Sequence, residues 1–275
     1  MKLIQNCSHP ITISRLVEDL RQLGLGSADT VLIHSSLSAL GWVVGGAQAV
    51  VEALCQVVLP QGTLVMPTHS SQFTEPRHWQ NPPVPQSWWE TIRDHVPAYD
   101  PHLTPTCGMG AIVECFRHVP KVFRSSHPTL SFAAVGPLAQ TILRDHVLED
   151  GLGEFSPLGA LARLDAKVLL LGVGFDSCTM LHLAEAKAEY KDKGRILQGS
   201  AIIRDGQRQW VAYYEQNYNS DDFFECGEAF LQAGHARTAT VGQGRTHLFS
   251  ARALLEFAVP WFEENRNSMS LDSTP

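Results

Sequence analysis

The sequence predicts a three-layer α/β/α sandwich, and three observations carry that expectation. Short apolar segments of strand length alternate with segments whose apolar residues recur at helical spacing. "AKVLLLGVG", residues 166–174, is a continuous apolar run of the kind that lies in a sheet covered on both faces. No stretch approaches the roughly 18 apolar residues that would suggest a membrane span. At 275 residues the chain suits one domain, expected over 1–267 with a loose tail at 268–275 inside "NSMSLDSTP".

The elements follow in order. "TISRLVEDLRQLGLG" carries Leu and Val on one helical face and stops at Gly24. "TVLIHSSL" is a short buried strand running into a polar loop. Ala47, Val50, Val51, Leu54 and Val58 form a second helical stripe, opened by Gly45-Gly46 and halted at Pro60. "TLVMPTHS" is the next strand, after which residues 69–106 show little periodicity. They are expected as long functional loops with one helix in "SWWETIRDHV". "MGAIVECFRHVP" and "GPLAQTILRDHV" are helices, the apolar strand 166–174 follows, and "CTMLHLAEAKAEY" is a helix after it. "QWVAYYEQ" alternates as a strand should, "DDFFECGEAFLQAG" is a helix, and "TATVGQGRTHLF" gives two strands about a glycine turn. "SARALLEFAVPWFEENR" is a last helix, expected to kink or break at Pro260.

Composition narrows the function classes. A formal charge of -7 without a basic cluster argues against nucleic acid as a partner. The six cysteines are scattered without a CxxC pair, which fits free thiols in a reducing cytosol. "MKLIQNCSHPITIS" lacks the apolar core of a signal peptide, so a cytoplasmic location is expected. Twelve histidines show no HxxxH or HExxH spacing, and no metal site is expected. Neither a GxSxG elbow nor a GxxxxGK[ST] loop occurs, and "GVGFDS" lacks the third glycine of a dinucleotide fingerprint.

Several stretches carry chemistry. In "HSSLSALGWVVGGAQAV", His34, Ser35, Ser36, Leu37 and Ser38 precede Gly45-Gly46 and a helix start. Free N–H groups there suit an anion such as phosphate; an ordinary capped turn is the plainer reading. "TPTCGMGAIVE" repeats the device with Thr106, Gly108, Met109 and Gly110. "RSSHPTLSFAA" adds Arg124, Ser125, Ser126, His127 and Ser131, suited to phosphate or simply a polar loop before a strand. His182 and Glu185 stand three apart beyond the buried strand, where ligands collect in α/β folds. A carboxylate one turn from an imidazole orients it as a general base, although a polar helix patch would read the same. Asp221, Asp222, Glu225 and Glu228 gather at a helix start, where they suit either the dipole or a polyamine.

Four stretches, "VLIHSSLSALGWVVGGAQAVVEAL", "LTPTCGMGAIVECFR", "FRSSHPTLSFAAVG" and "LLLGVGFDSCTMLHLAE", occur in this order in the aminoglycoside 3-N-acetyltransferases. The sequence resembles that family from about residue 14 to 262. The resemblance implies an α/β fold distinct from the GNAT type, acetyl-CoA as donor, and transfer to the 3-amino group of the 2-deoxystreptamine ring. It implies that His34 to Leu37 with Gly45 and Gly46, the turn Gly108 to Gly110, and Arg124, Ser125, His127 and Pro128 lie on the CoA side, and Ser38, Ser126 and Ser131 are expected with them. Thr106 would sit near the thioester as an oxyanion donor, and the family's HxxE motif falls on His182 and Glu185. Asp176, Asp221, Asp222, Glu225 and His69 are the candidates on the antibiotic side. One departure is that the loop after "VMPT" reads "HSSQFTEPRHW" where an acidic loop is expected, which points to a shifted substrate range. Direct transfer with His182 as base is the expected mechanism. The same chemistry on another amine, a serine hydrolase using Ser35 or Ser36, and a non-catalytic antibiotic-binding protein are the alternatives.

Overall fold

The computed structural model describes Ile4, Cys7 and residues 9–268; the expected tail beyond Ser268 lies outside the described residues. Nine strands are seen among them, seven in one sheet. These are β1 (Thr30–Ser35), β2 (Thr63–Pro67), β3 (Phe123–Arg124), β4 (Phe132–Val135), β5 (Lys167–Leu171), β8 (Arg237–Val241) and β9 (Gly244–Ser250). Their order across the sheet is β3-β4-β2-β1-β5-β9-β8. The central strands β2, β1 and β5 run parallel, and the flanking strands are antiparallel to their neighbours.

Alternation along the central strands makes the three layers. Val31, Ile33, Leu64, Met66, Leu169 and Leu171 join one apolar cluster, while Leu32, Val65, Val168 and Leu170 join another. Successive side chains leave a strand on opposite faces, so each strand needs a helical layer on both sides. The first layer is α1 (Ile13–Leu23), α2 (Gly46–Val58) and α4 (Gly110–Phe116). The second contains α5 (Ala139–Leu143), α6 (Pro157–Arg163), α7 (Met180–Lys187), α8 (Phe223–Gln232) and α9 (Ala251–Ser268). A short helix α3 (Trp89–His95) lies in the irregular 69–106 segment, as expected.

Local signals account for several boundaries. Thr12 caps α1 by accepting from Arg15 N, and Gly24, at φ 108°, ends it by donating to Arg21 and Leu20 carbonyls. The β8–β9 turn sets Gly242 at φ 60°, and a Cβ there would come within 2.6 Å of the Leu40 carbonyl oxygen. Three expectations need correction. Helix α9 runs unbroken through Pro260, because proline removes only one N–H from an 18-residue helix packed into the second cluster. The helix expected over 136–147 is only α5, since the chain then turns His146 inward, onto Ser125 Oγ and the Gly151 carbonyl. And β7 (Gln207–Gln216) belongs to a separate hairpin with β6 (Arg195–Arg204), a strand the alternation does not reveal. Gln198-Gly199-Ser200 interrupts its pattern, and a Cβ at Gly199 would approach the Trp210 ring to 2.7 Å. Asp205 and Gly206, both at positive φ, make the tight turn.

This hairpin braces the long loop: Tyr99 N donates to Ala201 O at 2.9 Å, and Arg208 Nε donates to Val96 O at 2.7 Å. Its inner face covers a buried polar group. The His127 and His146 rings lie 4.7 Å apart, and His127 Nε2 is 3.9 Å from Glu215 Oε1. Burial pushes the Glu215 carboxyl up to about 8 and the His146 imidazole down to about 4; His127 is also pushed well down.

Two outcomes are expected. Leu170→Ala removes a fully buried side chain from β5 and lowers unfolding free energy by about 2–5 kcal/mol, read from the urea midpoint. Stability also depends on pH on both sides of neutrality. Buried neutral histidines, lowered in the fold, contribute stability above an unfolded pKa of 6.5 that is lost as pH falls towards about 4. Glu215, raised in the fold, contributes stability below 4.5 that is lost as pH rises through about 8. Each group adds a slope of up to about 1.4 kcal/mol per pH unit. Urea midpoints should therefore fall below pH 6.5, and Glu215→Gln should flatten the decline between about pH 6.5 and 8.

Candidate active site

The parallel strands β1 and β5 are neighbours, yet the chain leaves them towards opposite faces: β1 leads to α2 in the first layer, β5 to α7 in the second. Such a divergence opens a crevice beyond the strand ends, and part of the predicted set lines it: His34 to Ser38, Gly46, Gly108 to Gly110 and Asp176. A groove of about 630 Å³ is bordered by Ser35 to Ser38, Gly41 to Val43, Gly46 and Gly108 to Ile112. An inner cleft of about 250 Å³ shares Ser35, Gly108 and Met109 with it. The cleft is closed by His34 and Pro67 on one side and by Asp176, Ser177 and Thr179 on the other.

The groove has the features of a cradle for a long anionic molecule. Gly46, Gly108 and Gly110 all hold positive φ, and a Cβ on any of them would point into open space. Helix α2 begins at Gly45 with no side-chain cap, so its first N–H groups have no side-chain acceptor. Ser35 Oγ is buried without a hydrogen-bond partner among the described residues, where groove and cleft meet. These residues therefore suit the pantetheine and phosphates of a CoA molecule. Ser36 and Ser38 hydroxyls lie 3.1 Å apart on its wall.

Helix α7, which starts just after the cleft-lining Thr179, brings His182 and Glu185 together. His182 Nδ1 lies 2.9 Å from Glu185 Oε2; the imidazole is 17% exposed and the carboxylate wholly buried. Nδ1–H is thereby the donor, and Nε2, without a partner among the described residues, is the acceptor. Tyr218 and Phe223 rings flank the imidazole at 5.1 and 4.7 Å. Glu185 Oε1 accepts from Asn219 N at 2.9 Å, Arg266 Nη1 at 2.8 Å and Tyr190 OH at 3.3 Å. Burial opposes the charge of Arg266, but its bonds to Asp222 and Glu185 outweigh that and raise its pKa. His34, whose Nε2 is 3.3 Å from Thr179 Oγ1, is pushed down to about 3 by burial and by the neighbouring His182. Burial, with His182, His34, His146 and Arg124 nearby, pushes His69 down to about 3, and its Nε2 has no partner among the described residues.

Several expectations change. Thr106 donates its hydroxyl to Glu114 Oε2 at 2.8 Å and its N–H to the same oxygen at 3.3 Å, so neither donor is left for an oxyanion. Arg124 does not reach the groove. Its guanidinium is spent on Thr68, Ser70, Pro101, Thr104 and Ser131, tying the loops together. Ser125, His127 and Ser131 are buried in that same interior network, and exposed Ser126 lies outside the groove lining. The "RSSHP" stretch thus serves the fold rather than a phosphate. Asp222 is likewise committed, accepting from Arg266 at 2.7 and 2.8 Å. Asp176 is exposed on the inner cleft, whereas Asp221 and Glu225 line a separate cavity of about 540 Å³ bounded by Tyr190 and Arg266. Arg266 and Tyr190 went unnoticed in the sequence because no spacing links them to Glu185.

Comparison with known proteins agrees with this geometry. The model of the aminoglycoside 3-N-acetyltransferase family matches residues 32–263. The SPbeta prophage-derived aminoglycoside N(3')-acetyltransferase-like protein YokD of Bacillus subtilis (strain 168) is 46% identical, over 96% of this chain and 97% of its own. Aminoglycoside N(3)-acetyltransferase VIII of Streptomyces fradiae is 36% identical, over 95% of each chain. A solved structure of AAC-IIIb in binary complex with CoASH superposes with a TM-score of 0.84 at 29% identity, covering 97% of this chain and 100% of that one. The chain belongs to the aminoglycoside 3-N-acetyltransferase family and is an acetyltransferase with acetyl-CoA as its co-substrate.

Proposed function

We propose that the protein acetylates the 3-amino group of the 2-deoxystreptamine ring of aminoglycoside antibiotics, giving resistance, by direct transfer with His182 as general base. One observation carries the mechanism: an imidazole fixed through Nδ1 by a buried carboxylate, with Nε2 free, one turn beyond Thr179 at the inner cleft. Family membership and the name of the Streptomyces fradiae relative support the substrate class.

The amine arrives as a cation, and Asp176 on the cleft attracts it through a charge-assisted hydrogen bond. Asp221 and Glu225 suit other ammonium groups of the same antibiotic. One proton leaves to solvent on binding. As the amine nitrogen bonds to the thioester carbonyl carbon, Nε2 of His182 takes the second proton. The carbon–sulfur bond then breaks, and the proton passes to the departing sulfur as the CoA thiol forms. Ser35 Oγ, in place of Thr106, supplies a hydrogen bond to the carbonyl oxygen as negative charge develops. His34 and His69, held neutral by burial, add no competing charge beside the incoming cation.

A second reading keeps the chemistry and changes the amine. In the loop 69–79 the one carboxylate, Glu75, is buried and bonded to Arg77 and Arg93, so it is not free for a polycationic acceptor. A less cationic primary amine would need fewer carboxylates there.

The first experiment is CoA-thiol release from acetyl-CoA with gentamicin, kanamycin and apramycin, using an enzyme-only blank for the six cysteines. Wild type should release thiol. His182→Ala should still bind CoA while losing roughly 10²–10⁴-fold in kcat. Unaltered kcat there would sink the base assignment, and a stable acetylated protein from acetyl-CoA alone would sink direct transfer. Drug binding without thiol release would leave only a sequestering protein. Ser35→Ala should lower kcat by roughly 10²–10³-fold, and Thr106→Val far less.

A further inference from the structure

Arg266 stands near the end of α9, 81 residues beyond Glu185 and outside every stretch on which the family resemblance rests. Its side chain is only 10% exposed, with the guanidinium 4.4 Å from the Phe262 ring centre and 4.9 Å from that of Tyr190. All three guanidinium nitrogens are engaged. Nη1 donates to Glu185 Oε1 at 2.8 Å. Nε and Nη2 donate to the two carboxylate oxygens of Asp222 at 2.8 and 2.7 Å, and Nη2 also donates to the Asn219 carbonyl at 2.9 Å.

The bonds on Glu185 are lopsided. Oε1 receives three donors, from Arg266, Asn219 and Tyr190, while Oε2 faces His182 alone. The first three prevent the carboxylate from turning, and the angle at which Oε2 meets the imidazole follows. Two of the four groups involved, Arg266 and Asn219, are bonded to each other. Loss of the arginine therefore frees the carboxylate and the 219–222 turn together, and that turn carries Asp221 to the acidic cavity.

We propose that Arg266 is a positioning residue for acetyl transfer: its fork holds Glu185, and through it His182, in register with the turn bearing Asp221. The inference rests on His182 being the base. Charge alone does not replace the fork, because a lysine ammonium cannot span Asp222 and Glu185 with the same planar geometry.

Steady-state kinetics on the full chain test it, with acetyl-CoA and whichever aminoglycoside gives thiol release. Arg266→Met, Arg266→Lys and His182→Ala are compared with wild type, and Leu254→Ala in the same helix is a control for stability alone. Arg266→Met should lower kcat by roughly 10²-fold through misplacement of the base. KM for acetyl-CoA should be unchanged and KM for the aminoglycoside raised. Arg266→Lys should recover only part of kcat. In ¹⁵N-histidine-labelled protein, the His182 Nδ1–H proton resonance should move in both arginine variants and stay in place in Leu254→Ala. Wild-type kcat in a folded Arg266→Met protein overturns the proposal, as does an equal loss of kcat in Leu254→Ala at equal melting temperature. Should Arg266→Met not fold, an unmoved resonance with full kcat in Arg266→Lys overturns it instead. Full turnover in His182→Ala removes the base assignment itself; loss there with full turnover in Arg266→Met removes only the positioning role.

Discussion

The buried carboxylate of Glu185 is the constraint around which the acceptor side is arranged. A carboxylate with no solvent exposure must have its hydrogen-bonding capacity met by protein, and here four donors meet it. Those donors come from α7, the segment just after it, the loop before α8, and the far end of α9. The second helical layer is thus fastened at the His182 imidazole. Desolvation that would be costly for a lone carboxylate becomes rigidity once every oxygen is occupied.

The donor side is built differently. Its surfaces are backbone: glycines with space where a side chain would be, and a helix start without a side-chain cap. The two sides meet at the ends of β1 and β5, where the chain departs to opposite layers. The parallel pair therefore leads to a backbone cradle on one side and to the helix bearing His182 on the other.

Much of this was legible in the sequence, for a physical reason. The groove and the base are local features: "HSSL", the glycine pairs and His182 with Glu185 each sit within a few residues of a strand end. Local patterning likewise marked most helices and the β5 run. What escaped was non-local. β6 is stabilised by β7 and by Trp210 against Gly199 rather than by its own alternation, and its Asp205-Gly206 turn was the one available signal. Arg124 reads like a phosphate ligand because its neighbours are hydroxyls, yet those neighbours and distant carbonyls use up its donors. Thr106 was misjudged for the same reason, with Glu114 eight residues on taking both donors. A donor's availability depends on the acceptors that folding brings to it, and spacing in the chain does not report them.

Burial sets two histidines near the cleft, His34 and His69, apart from His182. His34 and His69 are driven down, above all by burial. Of these three imidazoles, His182 alone among the described residues is hydrogen-bonded to a carboxylate. Sequence alone singles out His182 as the base through its spacing to Glu185. Burial together with the Glu185 contact separates the three imidazoles, so the selection of His182 rests on where the carboxylate is held, and that position is set by the end of α9.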